Sequence, residues 1–200
     1  MSKPDHHDTA ATSLHGVAAD NLRFIRTTME NATAFTGISG KGYVLAGLTA
    51  IAAAWIAAQQ TLPLLWLAVW LLEATLACSV TLLLSADKAR RQGKSLWSGS
   101  GRKLMFAFLP TMAVGAVVTL AFYLQCNTVL LPGLWLILYG AGVMTAGAHS
   151  IRPVPLMGFL FIMLGSAQLL VPATTNLTLA LGFGGLHLAF GILIWRQHGG

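Results

Sequence analysis

The sequence predicts an all-α membrane protein, a bundle of six transmembrane helices preceded by a cytoplasmic amphipathic helix, with both termini inside. Three observations predict it. Of 200 residues, 56% are hydrophobic and only 9% charged, with mean hydropathy +0.70, whereas a soluble domain carries roughly 25% charged residues. The apolar residues fall into six blocks of about 20, the length that spans roughly 30 Å of hydrocarbon. In a six-span arrangement all 12 lysines and arginines fall on one side of the bilayer, which the positive-inside rule makes cytoplasmic.

Residues 1–12 are polar and without periodicity, and read as a disordered tail. The first 41 residues hold no apolar core of a signal peptide, so the first span must serve as its own insertion signal. Over 13–36, Leu14, Val17, Ala18, Leu22, Ile25, Met29 and Ala32 recur at helical spacing, while Asp20, Arg23, Thr27 and Glu30 fall elsewhere. This is the pattern of an amphipathic helix, too polar to cross the membrane, ended by Gly37, Gly40 and Gly42. Phe24 and Phe35 fall off the stripe and suit interfacial anchoring.

The transmembrane domain covers 42–196 and leaves a cytoplasmic tail at 197–200. Its spans are expected at 43–59, 62–84, 104–125, 129–149, 154–171 and 177–195. The connections at 60–61, 126–128 and 172–176 carry no Lys or Arg. Basic residues instead occupy the N-terminal region (Lys3, Arg23, Arg26, Lys41), the 85–103 connection, and the ends of the fourth and sixth spans (Arg152, Arg196). Trp66, Trp135 and Trp195 near span ends fit an aromatic belt. Pro110 lies inside the third span and should bend it. Gly140, Gly142, Ala146 and Gly147 in the fourth span, with Gly182, Gly184, Gly185 and Gly191 in the sixth, permit close helix approach.

Glu73 is the only acidic residue in any span and sits near the middle of the second, where a charge costs several kcal/mol unless paired or protonated. Tyr139 and His187 share its depth to within about a turn, and Gln168 is nearer the outer face. These four are the candidate intramembrane polar or proton site. They can form a proton relay or line a polar pocket, or simply hydrogen-bond across the bundle. His149 lies too far from the midplane to pair with His187 as a haem ligand, and no cofactor is implied. His6, His7 and His15 lack the surroundings of a metal site. Cys78 and Cys126 form no disulfide or metal pattern.

Lys88, Arg90, Arg91, Lys94, Arg102 and Lys103 have the composition to contact anionic lipid headgroups. The serine and glycine run at 98–101 lacks the strand and spacing of a phosphate loop. Since the basic residues sit in short connections, the net charge of +6 speaks for topology rather than for nucleic acid. No hydrolase or redox-thiol motif is present.

Four blocks together carry a resemblance: Asn21-Leu22-Arg23-Phe24-Ile25-Arg26-Thr27-Thr28-Met29-Glu30, Leu138-Tyr139-Gly140 running to Ser150-Ile151-Arg152, Val154-Pro155-Leu156-Met157-Gly158, and Gly182-Phe183-Gly184-Gly185-Leu186-His187. From about residue 15 onward the chain resembles a family of small bacterial six-span inner-membrane proteins. The resemblance implies that location and topology, and transfers no catalytic residue, substrate or cofactor. Such proteins are similar to ones encoded beside small winged-helix regulators, which fits a sensory role. The leading expectation is therefore a non-enzymatic sensing or regulatory module whose residues 13–36 meet a cytoplasmic partner or the lipid surface. Alternatives are a small proton-coupled transporter or channel using the midplane site, and an intramembrane lipid-modifying enzyme.

Overall fold

The computed structural model describes residues 17–25, 28–29, 35–93, 95–97, 99–171 and 175–199. The expected tail at 1–12, the three N-terminal histidines, Arg26 and Lys94 lie outside them. Residues 1–33 and 34–200 form two separate compact units. In the first, 17–25 and 28–29 are helical, and Thr28 Oγ1 donates to the Phe24 carbonyl. Val17, Leu22, Phe24, Ile25 and Met29 are all exposed there.

The second unit is a helical bundle of α1 (Gly40–Ala58), α2 (Pro63–Arg91), α3 (Gly99–Leu124), α4 (Leu131–Gly147), α5 (Pro153–Leu170) and α6 (Thr175–His198). Five of these are long and apolar enough to cross a membrane, and α4 is a shorter apolar helix of 17 residues. The local signals for each start are ordinary. Ser39 caps α1 by accepting from the Gly42 amide at 3.2 Å. Pro63, Pro132 and Pro153 occupy first turns, where their missing N–H is no loss. Pro110 lies inside α3, which continues through it.

Within the packed pairs α1/α2 and α3/α4 the helices run antiparallel, as particular contacts show. On the α1/α2 seam the Ser39 amide donates to Ser85 Oγ at one end and Thr49 meets Glu73 further along. On the α3/α4 seam Thr145 Oγ1 reaches the Ala107 carbonyl and Trp135 Nε1 donates to Thr119 Oγ1 at 2.7 Å. The tightest seams are α4/α5 and α1/α6. A Cβ on Gly140 would stand 2.6 Å from the Gly158 carbonyl, and one on Gly47 would stand 2.8 Å from that of Gly184. Backbones touch there because neither helix projects a side chain, which is how apolar helices gain packing energy without a hydrophobic drive between them. Phe161, Leu136, Met157 and Ile194 fill the centre and are fully buried.

By contrast α2 packs along α1 and α3 along α4, with no extended seam between α2 and α3. Only 11% of the most apolar stretch of each is buried, against 44% for α1 and α6. They form the two flanks of the bundle.

Several expectations need correction. Residues 35–39 are not the end of an amphipathic helix but a non-helical strap. Phe35 is no interfacial anchor: it is buried, its amide donates to the His149 carbonyl at 2.8 Å, and its own carbonyl accepts from Ser150 Oγ. Gly40 and Gly42 do not stop a helix; they open α1, where Gly40 lies against the α6 backbone at Trp195. The 85–103 connection shrinks to the residues between Arg91 and Gly99, because α2 runs on through its basic turn. Lys88, Arg90 and Arg91 suit the negative end of that helix dipole. Trp66 and Trp135 are not simply belt residues, since each indole N–H is taken inside the bundle, by Asn176 and Thr119.

Candidate functional site

Tyr139 sits mid-way along α4. Gly140 beside it lets α5 close in, which lays the Phe161 ring edge-on to Tyr139 at 4.8 Å between centroids. Opposite it, Ala180–Leu186 of α6 is wound as a π-helix that leads directly into His187. Gly182 admits Leu136 and Phe161 against this wide turn. Such turns inside α-helices mark functional positions more often than chance.

The result is a polar pair in an aromatic cage. Tyr139 Oη and His187 Nε2 are 2.7 Å apart, and His187 is 6% exposed. Tyr43 and Phe161 meet the imidazole edge-on at 5.4 Å, and Phe183 stacks on it at 6.2 Å. The carbonyls of Gly182 and Phe183 lie beside the ring, yet Nδ1 makes no hydrogen bond of ordinary geometry. Whether the Tyr139 hydroxyl donates to His187 or accepts from it depends on the imidazole tautomer.

The other two midplane candidates go elsewhere. Glu73, 8% exposed, accepts from Thr49 Oγ1 at 2.8 Å across the α1/α2 seam. Among the described residues no hydrogen bond links it to Tyr139 or His187. Gln168 Nε2 donates to Thr175 Oγ1 at 3.2 Å near the end of α5, and its buried Oε1 has no partner. The four residues are thus one closed pair and two separate interhelical bonds.

At the basic end Lys88 departs from its neighbours. It is 5% exposed, and its ammonium donates to the Ile38 and Gly199 carbonyls, both at 2.8 Å. Held by the protein in this way, it is not presented to headgroups. Arg91 pairs with Asp87 at 2.7 Å on the exposed surface. Arg90 borders a depression of about 110 Å³ with Ala86, Ser95, Leu96 and Trp97. Arg102 and Lys103 are exposed on the first turns of α3. Lys41 lies over the Trp195 ring at 5.5 Å.

These contacts knot the strap to three elements: Phe35 to the α4–α5 connection, Ser39 to Ser85 of α2, and Ile38 through Lys88 to the end of α6. Sequence reasoning missed the knot and the cage. The only signal for the knot was a lysine one turn inside a basic run, which composition cannot distinguish from its neighbours. Among the described residues no three His, Cys, Asp or Glu side chains gather as metal ligands. The chain matches no known family profile, no curated protein and no solved structure.

Proposed function

We propose that this protein is a multi-pass sensing or regulatory module of a bacterial inner membrane, with six spans, both termini cytoplasmic, and the N-terminal segment as its output element. The strap carries this reading. Residues 35–39 lead from the N-terminal segment into α1 and are bonded at once to α2, the α4–α5 connection and the end of α6. Any rearrangement of those elements pulls on the chain that continues into residues 13–33. Exposed apolar side chains at Val17, Leu22, Phe24, Ile25 and Met29 give that segment a surface for a cytoplasmic partner or the lipid interface. Arg90, Arg102 and Lys103 are the residues of the bundle suited to anionic headgroups.

The six-span reading counts α4 as a span. Its 17 residues rise about 26 Å, short of the roughly 30 Å hydrocarbon thickness, a mismatch that flanking residues and local thinning absorb. The transporter reading draws on the Tyr139–His187 pair, but a relay through Glu73 has no hydrogen-bonded link to that pair, so regulation is the better-supported function.

The experiment compares transcript profiles of a strain lacking the gene and carrying the full chain, a chain without residues 1–33, or Lys88→Met. Both variants should reach the membrane at normal levels and fail to restore the wild-type profile. Full restoration by the chain lacking residues 1–33 would end the proposal.

A further inference from the structure

Glu73 is the only acidic or basic side chain of α2 between Pro63 and Ala86, which sets its carboxyl well inside the hydrocarbon. A full charge at that depth costs several kcal/mol unless a partner neutralises it. Among the described residues no lysine, arginine or histidine bonds to it. The next basic residue on α2 is Lys88, about four turns on, and its ammonium is taken by the Ile38 and Gly199 carbonyls. Tyr139 and His187 are bonded to each other.

The group that does meet Glu73 is the Thr49 hydroxyl, and it is over-committed. Thr49 Oγ1 lies 2.8 Å from Glu73 Oε1 and 3.1 Å from each of the Leu45 and Ala46 carbonyls of its own helix. A hydroxyl has a single proton to give, and two lone pairs with which to accept. An ionised Glu73 would have to share that one neutral donor with two carbonyls. A proton on Glu73 removes the conflict. The carboxyl then donates to Thr49 Oγ1, reversing the 2.8 Å bond, and Thr49 gives its own proton to the α1 carbonyls, as threonines within helices commonly do.

The seam that holds this pair borders the outer surface of the bundle. Leu72 beside Glu73 and Leu76 one turn on are exposed, as are Leu45 and Leu48 near Thr49 on α1. Glu73 itself keeps 8% exposure, and α2 is covered along little of its length. A neutral molecule dissolved in the hydrocarbon meets this edge, whereas a charged one in water must first leave its hydration shell.

We propose that Glu73 is a neutral, lipid-accessible carboxylic acid: an intramembrane proton-binding site shared with Thr49, and a modification site for hydrophobic carboxyl reagents. The proton is held rather than relayed, since among the described residues no hydrogen bond runs from Glu73 or Thr49 to the Tyr139–His187 pair. The proposal does not rest on the regulatory reading, and the transcript experiment succeeds or fails independently of it.

The test treats the purified full chain, in phosphatidylcholine vesicles at pH 6, with neutral dicyclohexylcarbodiimide or with a cationic, water-soluble carbodiimide. In the reaction the carboxyl proton passes to a carbodiimide nitrogen and the carboxylate oxygen bonds the central carbon. The acyl group then migrates to nitrogen; nothing leaves, so the adduct is the sum of both reactants and peptide mass spectrometry locates it. The lipid-soluble reagent should give at least about tenfold more adduct on Glu73 than the water-soluble one, whose charge costs several kcal/mol to bring to this depth. Asp87, exposed at the end of α2, should show the opposite preference. In parallel, the infrared difference between wild type and Glu73→Gln should contain the C=O stretch of a protonated carboxylic acid. Should Glu73→Gln fail to fold, the adduct mapped on the wild-type chain decides alone. No adduct on Glu73, equal adduct from both reagents, or carboxylate stretches in the difference spectrum each overturns the proposal.

Discussion

Gly140→Ala places a methyl group 2.6 Å from the Gly158 carbonyl oxygen and 2.8 Å from the Ile162 amide nitrogen. Both neighbours are backbone, so no rotamer change relieves the clash. Restoring ordinary contact needs α4 and α5 to part by about 0.8 Å, a gap that forfeits a quarter to a half of each dispersion contact along the crossing. Overpacking of this kind costs about 1–3 kcal/mol, and the better helix propensity of alanine returns at most about 1. Gly185→Ala is the control, because its nearest neighbour would be the Ala180 carbonyl at 4.0 Å. It should be neutral or stabilising by up to about 1 kcal/mol. Reversible unfolding in mixed detergent and sodium dodecyl sulfate micelles, followed by circular dichroism, measures both. The Gly140→Ala/Gly158→Ala double variant should lose less than the sum of its singles, since one separation relieves both clashes. Equal stability of Gly140→Ala and Gly185→Ala would refute the close-contact account of this seam.

Lys88→Met leaves the Ile38 and Gly199 carbonyls without their donor, so amide exchange over 35–39 should accelerate at least tenfold while the core of α5 is unchanged; uniform exchange rates would mean that the knot does not hold the strap. Thr49→Val removes the hydroxyl that Glu73 accepts from and should destabilise the bundle by about 1–3 kcal/mol, with Glu73→Gln in the same background restoring part of the loss; no loss in Thr49→Val would show that the bond contributes nothing. For orientation, a Cys78→Ser chain should label at exposed Cys126 with an impermeant maleimide in spheroplasts, whereas Cys78→Ser/Cys126→Ser/Arg102→Cys should label only after permeabilisation. The reverse pattern would invert the topology.

Helix number and approximate limits were legible because each apolar block must satisfy its backbone internally and match a fixed thickness, both properties of local sequence. Glycines seven apart, such as Gly133, Gly140 and Gly147, were also there to be read. That periodicity marks a seam, but not which helix fills it.

Glu73, Tyr139 and His187 share a depth, and depth is what a linear sequence reports well. Whether they share a neighbour depends on helix rotation and order. The π-turn at Ala180–Leu186 alters rotation just before His187, turning it to Tyr139, while Glu73 faces Thr49. The strap was misjudged for the same reason. Phe35 and Lys88 look like surface residues by composition, and only contacts made over 50 or more positions of chain reveal them as buried. Sequence alone therefore determined that this chain is built for a membrane, with its basic residues gathered by the turns of its helices. Tertiary structure decided which polar groups meet, because pairing is set by distances between helices that no local pattern encodes.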